Sequence, residues 1–186
     1  MRDFRSLPDD LPVPEDDGGA DGLRGCEVPS VVLEAAGGEP VDLAQAAAGG
    51  TLVVYVYPRT GTPGEPSPDG WDAIPGARGC TPENCSFRDH AAELAALRAR
   101  VHGLSSQPIA EQREFAARER MPFPLLNDSD LRLARELQLP TFQAGGMTLY
   151  KRLTFIARGG RIDHVFYPIF PPDTHVDEVL SALRLA

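Results

Sequence analysis

Cys80 and Cys85 stand five positions apart in the run Gly79-Cys80-Thr81-Pro82-Glu83-Asn84-Cys85-Ser86-Phe87-Arg88-Asp89, and a thiol pair at that spacing can do redox chemistry. The run reads as a helix start. Thr81 or Cys80 can cap it, Pro82 suits a first turn, and Glu83 complements the positive end of the helix dipole. Cys80 then lies among unpaired backbone N–H groups, where a thiol is expected to ionise easily, well below its free pKa of about 8.5. Cys85 is the natural second thiol. In an ideal helix, residues five apart have Cα atoms roughly 8–9 Å apart, whereas a disulfide needs roughly 4.4–6.8 Å. A bond between the two requires the first turns of the helix to unwind.

Other chemistry fits the pair less well. A tetrahedral metal site needs a second Cys/His cluster, and His90 and His102 follow along the chain without a C-x-x-C, so no metal or other cofactor is called for. A simple dithiol oxidoreductase would carry C-x-x-C at the helix start. The wider gap suits a division of labour in which one thiol attacks and the other resolves, while two small packed hydrophobes remain the bland alternative. Cys26, in Arg24-Gly25-Cys26-Glu27, has no activating neighbours and reads as an incidental thiol, with a substitute resolver as the sharper option. The four histidines are scattered, and none is assigned a catalytic task.

The rest of the chain bounds the setting. At 186 residues and 42% apolar, it suits one domain that buries about 70% of its unfolded surface without a disulfide staple. Three cysteines, no signal-like apolar run and no stretch long enough to cross a membrane predict a cytoplasmic protein in a reducing compartment. A net charge of −9 argues against binding nucleic acid, which needs a basic face. Residues 1–22 carry seven acids against Arg2 and Arg5. Residues 1–24 therefore read as an acidic Pro/Gly-rich arm, solvated or loosely draped, ahead of a domain at 25–186.

The cysteines need elements to position them. Residues 51–57 (TLVVYVY) form a near-continuous β-branched and aromatic run, the mark of a strand buried on both faces and the expected sheet centre. Residues 58–79 follow as a long Pro/Gly-rich loop that delivers the chain to Cys80. From 81 to about 100, Phe87, Ala91, Leu94 and Leu97 recur at helical spacing, predicting one substantial amphipathic helix. Strands are expected at 30–34, 101–105 and 124–126, and helices at 41–48, 108–119 and 130–139. A hairpin of 149–157 and 161–166 turns on Gly159-Gly160, and a last helix runs from 173 to 183. Interleaved helices and strands closing this way predict an α/β fold, a thioredoxin-like three-layer sandwich around a central mixed β-sheet.

An ordered set of motifs resembles the peroxiredoxins, and within them the bacterioferritin comigratory protein or Q-type branch. That branch reads Y-P-x-x-x-T-P-G-C-T-x-x-x-C-x-F-R-D. Tyr57-Pro58-Arg59-Thr60-Gly61-Thr62-Pro63-Gly64 reproduces its first half and Cys80-Thr81 through Asp89 its second. Gly103-Leu104-Ser105-Ser106, Phe123-Pro124-Leu125-Leu126-Asn127-Asp128 and Arg152-Leu153-Thr154-Phe155-Ile156 resemble later family segments, so the likeness spans about residues 24–186. The resemblance implies a thiol-dependent peroxidase reducing hydrogen peroxide and organic hydroperoxides. By it, Cys80 is the peroxidatic cysteine that becomes a sulfenic acid, Arg152 holds thiolate and peroxide, Thr62 offers a hydroxyl, and Pro58 shields the pocket. Cys85 would form the intramolecular disulfide, recycled by thioredoxin or a similar thiol donor. It implies a monomer or weak homodimer. A disulfide reductase on the same fold and a non-catalytic thiol switch are the rivals.

One departure from the family pattern is large. Thr62 and Cys80 are separated by seventeen residues where the family has two, so 65–79 reads as a loop insertion. Either the insertion loops out and returns, leaving Thr62 beside Cys80, or Thr62 has moved away and Arg78 or a backbone N–H replaces it. Trp71 and Ile74 could then form an apolar lid, or simply pack the loop onto the domain.

Overall fold

A computed structural model describes residues 6–185. The strands are β1 (Val32–Ala36), β2 (Val41–Asp42), β3 (Thr51–Val56), β4 (Ala99–Ser105), β5 (Leu125–Asn127), β6 (Thr141–Ala144), β7 (Met147–Tyr150), β8 (Leu153–Arg158) and β9 (Arg161–Phe166). The helices are α1 (Leu43–Ala48), α2 (Cys80–Asp89), α3 (Ala91–Ala96), α4 (Ile109–Glu119), α5 (Arg132–Leu137) and α6 (His175–Arg184). Seven strands form one sheet in the order β2-β1-β5-β4-β3-β8-β9, and β6 and β7 form a separate hairpin. The sheet is mixed. β3, β4 and β5 run parallel, while β8 and β9 on one side and β1 and β2 on the other are antiparallel.

β3 is interior from Leu52 on, as its apolar run predicts, and its alternation divides the core. Leu52, Val54 and Val56 pack with α1, α5 and Leu23; Val53 and Tyr55 pack with Phe87, Leu94, Phe115 and the apolar stripe of α6. Each of these residues is completely or almost completely buried. Helix, sheet, helix is the three-layer arrangement expected from the sequence.

Three local expectations are corrected. The single helix over 81–100 is two helices, broken at His90 and followed by β4 from Ala99, because His90 leaves helical geometry at φ −99°, ψ 11°. The strand expected over 149–157 is also two. β7 pairs with β6 across Gly145-Gly146, and the chain turns at Lys151-Arg152 before β8 begins. The acidic arm, from residue 6 on, is fastened down: Ala20 and Leu23 are buried, and Asp17 accepts from Lys151 Nζ and from Tyr167 Oη at 2.6 Å. Its last turn belongs to the core. The 166–172 segment likewise packs inward at Ile169 and Pro172, which are buried, while Phe170 and Pro171 are exposed.

Candidate active site

The path from β3 to α2 begins with Pro58, buried, whose carbonyl accepts from Ser105 Oγ at 2.8 Å. Thr60 donates from its backbone N–H and its hydroxyl to Gln107 Oε1, at 2.9 and 3.1 Å. Beyond it the insertion is a string of turns. Glu65 N–H donates to Thr62 O, Trp71 N–H to Pro68 O and Ala77 N–H to Ile74 O, and each turn has glycine third, at φ 87°, 72° and 77°. Pro63-Gly64 and Pro75-Gly76 are the Pro-then-Gly pair such turns favour, because the third residue takes positive φ. The chain therefore doubles back on itself and returns to the end of β3.

Gly79 is the N-cap of α2, in place of the Thr81 or Cys80 cap read from the sequence. It sits at φ 104°, and a Cβ there would lie 2.4 Å from Pro172 Cγ, so both conformation and space demand glycine. Cys80 is the first helical residue and is buried. Its sulfur is 3.4 Å from the donating Arg59 N–H and 3.2 Å from Arg152 Nη2, and its thiol points to Ala77 O at 3.5 Å. Asn84 Nδ2 donates to Cys80 O at 2.8 Å, and Tyr55 Oη donates to Asn84 Oδ1 at 2.7 Å, so the sheet braces the first turn of α2.

Arg152 lies in the turn between β7 and β8 and is buried. Its Nη2 donates to Gly76 O at 3.2 Å and Arg78 O at 3.1 Å as well as reaching the sulfur, and its Nη1 pairs with Glu83. The guanidinium thus ties the insertion, the helix and the thiol together. Glu83, read from the sequence only as a complement to the helix dipole, is the residue that reading missed as Arg152's partner. It is fully buried, and burial lifts its carboxyl to about 7 against the pull of Arg152.

The same closure corrects the easy ionisation expected of Cys80. Burial pushes its thiol above the ordinary value, Arg152 and the Arg59 N–H pull it back, and the Glu83 charge adds to the rise. Burial thus opposes ionisation, and Arg152 and the Arg59 N–H are the groups that favour the thiolate.

Thr62 lines the same crevice as Cys80, together with Arg59, Trp71 and Arg78. Among the described residues the groups hydrogen-bonded to the sulfur are Arg59, Arg152 and Ala77, and the Thr62 hydroxyl is not one of them. The insertion returns, then, and brings Thr62 to the crevice that Cys80 lines, with the Arg59 N–H as the backbone donor at the sulfur. Cys85 lies one and a half turns along α2, half-buried, with its Sγ 3.7 Å from Glu119 Oε2. All three cysteines are free thiols. Cys26 packs with the cluster on the opposite face of the sheet and donates to Gly22 O at 3.1 Å.

The chain as a whole is similar to known proteins. The Redoxin family profile matches residues 23–183. A peroxiredoxin of Mycobacterium tuberculosis is 32% identical over 148 residues, covering 79% of this chain and 86% of the relative. The chloroplastic peroxiredoxin Q of Sedum lineare is 30% identical over 162 residues, 87% of this chain and 77% of the relative. Among solved structures, peroxidoxin BcpB from Mycobacterium tuberculosis superposes with a TM-score of 0.70 at 30% identity, covering 88% of this chain and 97% of that one. The Xanthomonas campestris bacterioferritin comigratory protein shares the fold, with a TM-score of 0.66 at 24% identity over 95% and 98% of the two chains.

Proposed function

The chain belongs to the Redoxin family and is a peroxiredoxin of the Q or bacterioferritin comigratory protein type, and from that premise we propose that Cys80 is its peroxidatic and Cys85 its resolving cysteine. It is a thiol-dependent peroxidase. The observation that carries the assignment is the convergence of Arg152 Nη2 and the Arg59 N–H on one buried sulfur at the start of α2.

The step follows from that geometry. The Cys80 thiolate attacks the near oxygen of a hydroperoxide; the S–O bond forms, the O–O bond breaks, and the leaving alkoxide or hydroxide takes up a proton. Arg152 and the Arg59 N–H stabilise charge at sulfur and on the departing oxygen, the use to which fixed donors in a water-poor site are best suited. Thr62, on the crevice wall, offers a hydroxyl to the incoming peroxide, and Pro58 keeps water from beneath the sulfur.

Cys85 then attacks the sulfenic sulfur. The S–S bond forms, hydroxide leaves and is protonated to water, and a dithiol donor of thioredoxin type returns both cysteines to thiols by exchange. Among the described residues no helix is long and apolar enough to cross a membrane. Stopped-flow mixing of reduced protein with hydrogen peroxide tests the assignment. Cys80→Ser should abolish fast oxidation and Cys85→Ser should leave it intact but stop at the sulfenic acid; a wild-type rate no faster than free cysteine would sink it.

A further inference from the structure

The insertion that separates Thr62 from Cys80 does more than return. Its Trp71, in a three-residue 3-10 turn, is buried in a small cluster with Ala77, Ala144 and Leu149, its ring 6.2 Å from that of Phe142. The β6–β7 hairpin is thus the anvil on which the insertion is seated. Pro68 rests on the tip of that hairpin, where a Cβ on Gly145 would come within 3.2 Å of its ring. Within the loop, Arg78 Nη1 pairs with Asp72 at 3.3 Å.

The opposite lip is tied as firmly. Arg118 Nη2 donates to Gly61 O at 3.1 Å, Arg59 Nη2 pairs with Glu111 at 3.1 Å, and Gln107 holds Thr60. Between two anchored lips the crevice over Cys80 is about 30 Å³. A water needs roughly 10–15 Å³ measured this way, so the floor of the crevice matches the two oxygens of hydrogen peroxide, and the organic group of a larger hydroperoxide must extend outward between the two lips, past Pro66, Pro68 and Trp71. Proline rings at 66 and 68 have little freedom to yield, and Trp71 is locked by its cluster.

We infer that the 65–79 insertion sizes the entrance to Cys80, with Pro66, Pro68 and Trp71 as its wall, and makes this enzyme select hydrogen peroxide over bulky organic hydroperoxides. The inference rests on the peroxidase reading above. Its readout is the ratio of kcat/KM for hydrogen peroxide to that for cumene hydroperoxide, with dithiothreitol as reductant. The wild-type ratio should exceed roughly tenfold, the scale on which a shaped pocket discriminates by size.

Trp71→Ala should narrow the ratio. Because that change also empties a small core, Pro66→Gly, at an exposed position outside the cluster, provides a second opening, with folding of both checked by circular dichroism. Equal kcat/KM for the two peroxides in the wild type would overturn the inference, as would an unchanged ratio in both folded variants. A wild type that reduces neither peroxide would instead bring down the peroxidase reading, and this inference with it.

Discussion

Arg152 is the residue on which the site turns, because one guanidinium spans Cys80, Glu83 and two carbonyls of the insertion. Arg152→Ala should lower the peroxide rate by about 10²–10³-fold, the usual loss when one preorganised donor is removed. Arg152→Lys should recover little of it, since an ammonium cannot span partners that a planar fork reaches together. Glu83 makes a separate prediction. Its Oε1 is buried without a hydrogen-bond partner among the described residues, and its carboxyl is lifted from an ordinary 4.5 to about 7. Below 4.5 both folded and unfolded chains hold the proton. As pH rises from there toward 7 only the unfolded chain releases it, so stability falls across that window and levels above it. Urea unfolding over a pH series should show this slope in the wild type and lose it in Glu83→Gln. In the same variant the Cys80 thiol, followed by thiolate absorbance, should titrate lower, because the Glu83 charge raises it.

At the scale of the element, α2 must be stable enough to present Cys80 and weak enough to let Cys85 reach it. Its second half is held by Arg88, whose Nη1 donates to Glu119 O at 3.0 Å and to Glu119 Oε2 at 3.4 Å, beside the Cys85 contact to the same carboxylate. Adding one equivalent of hydrogen peroxide should form the Cys80–Cys85 disulfide and reduce the helical circular dichroism signal. An unchanged signal with the disulfide formed would refute the unwinding. Arg88→Ala removes about 1–2 kcal/mol of hydrogen bonding from the folded turn and should speed disulfide formation about five- to thirty-fold, measured by trapping the sulfenic acid against time. The need to unwind was legible from the five-residue spacing alone. The grip of Glu119 was not, since thirty-four residues separate it from Cys85.

For the molecule as a whole, the arm from residue 6 on is a structural part of the domain. Leu23 is 2% exposed, within the cluster that includes Leu52, Val54 and Ile162. Leu23→Ala should cost about 2–5 kcal/mol in denaturant unfolding; a cost near zero would restore the reading of a loosely draped arm. Composition hid this role, because an acidic Pro/Gly-rich segment is polar on average even when two of its side chains are apolar anchors.

The sequence by itself determined the parts whose physics is local. The apolar run at 51–57, the helix-start cysteines, their five-residue gap and the Gly159-Gly160 turn each carry their meaning in neighbouring residues, and the fold class follows from their alternation. Tertiary structure decided what depends on return paths and burial. It broke the long helix at His90, made β6 and β7 a hairpin beneath Trp71, and set Glu83 against Arg152 across sixty-nine positions. It also set burial against the expected pull on the Cys80 thiol, because a helix terminus is a local feature whereas the exclusion of water is built by every segment that closes over the sulfur.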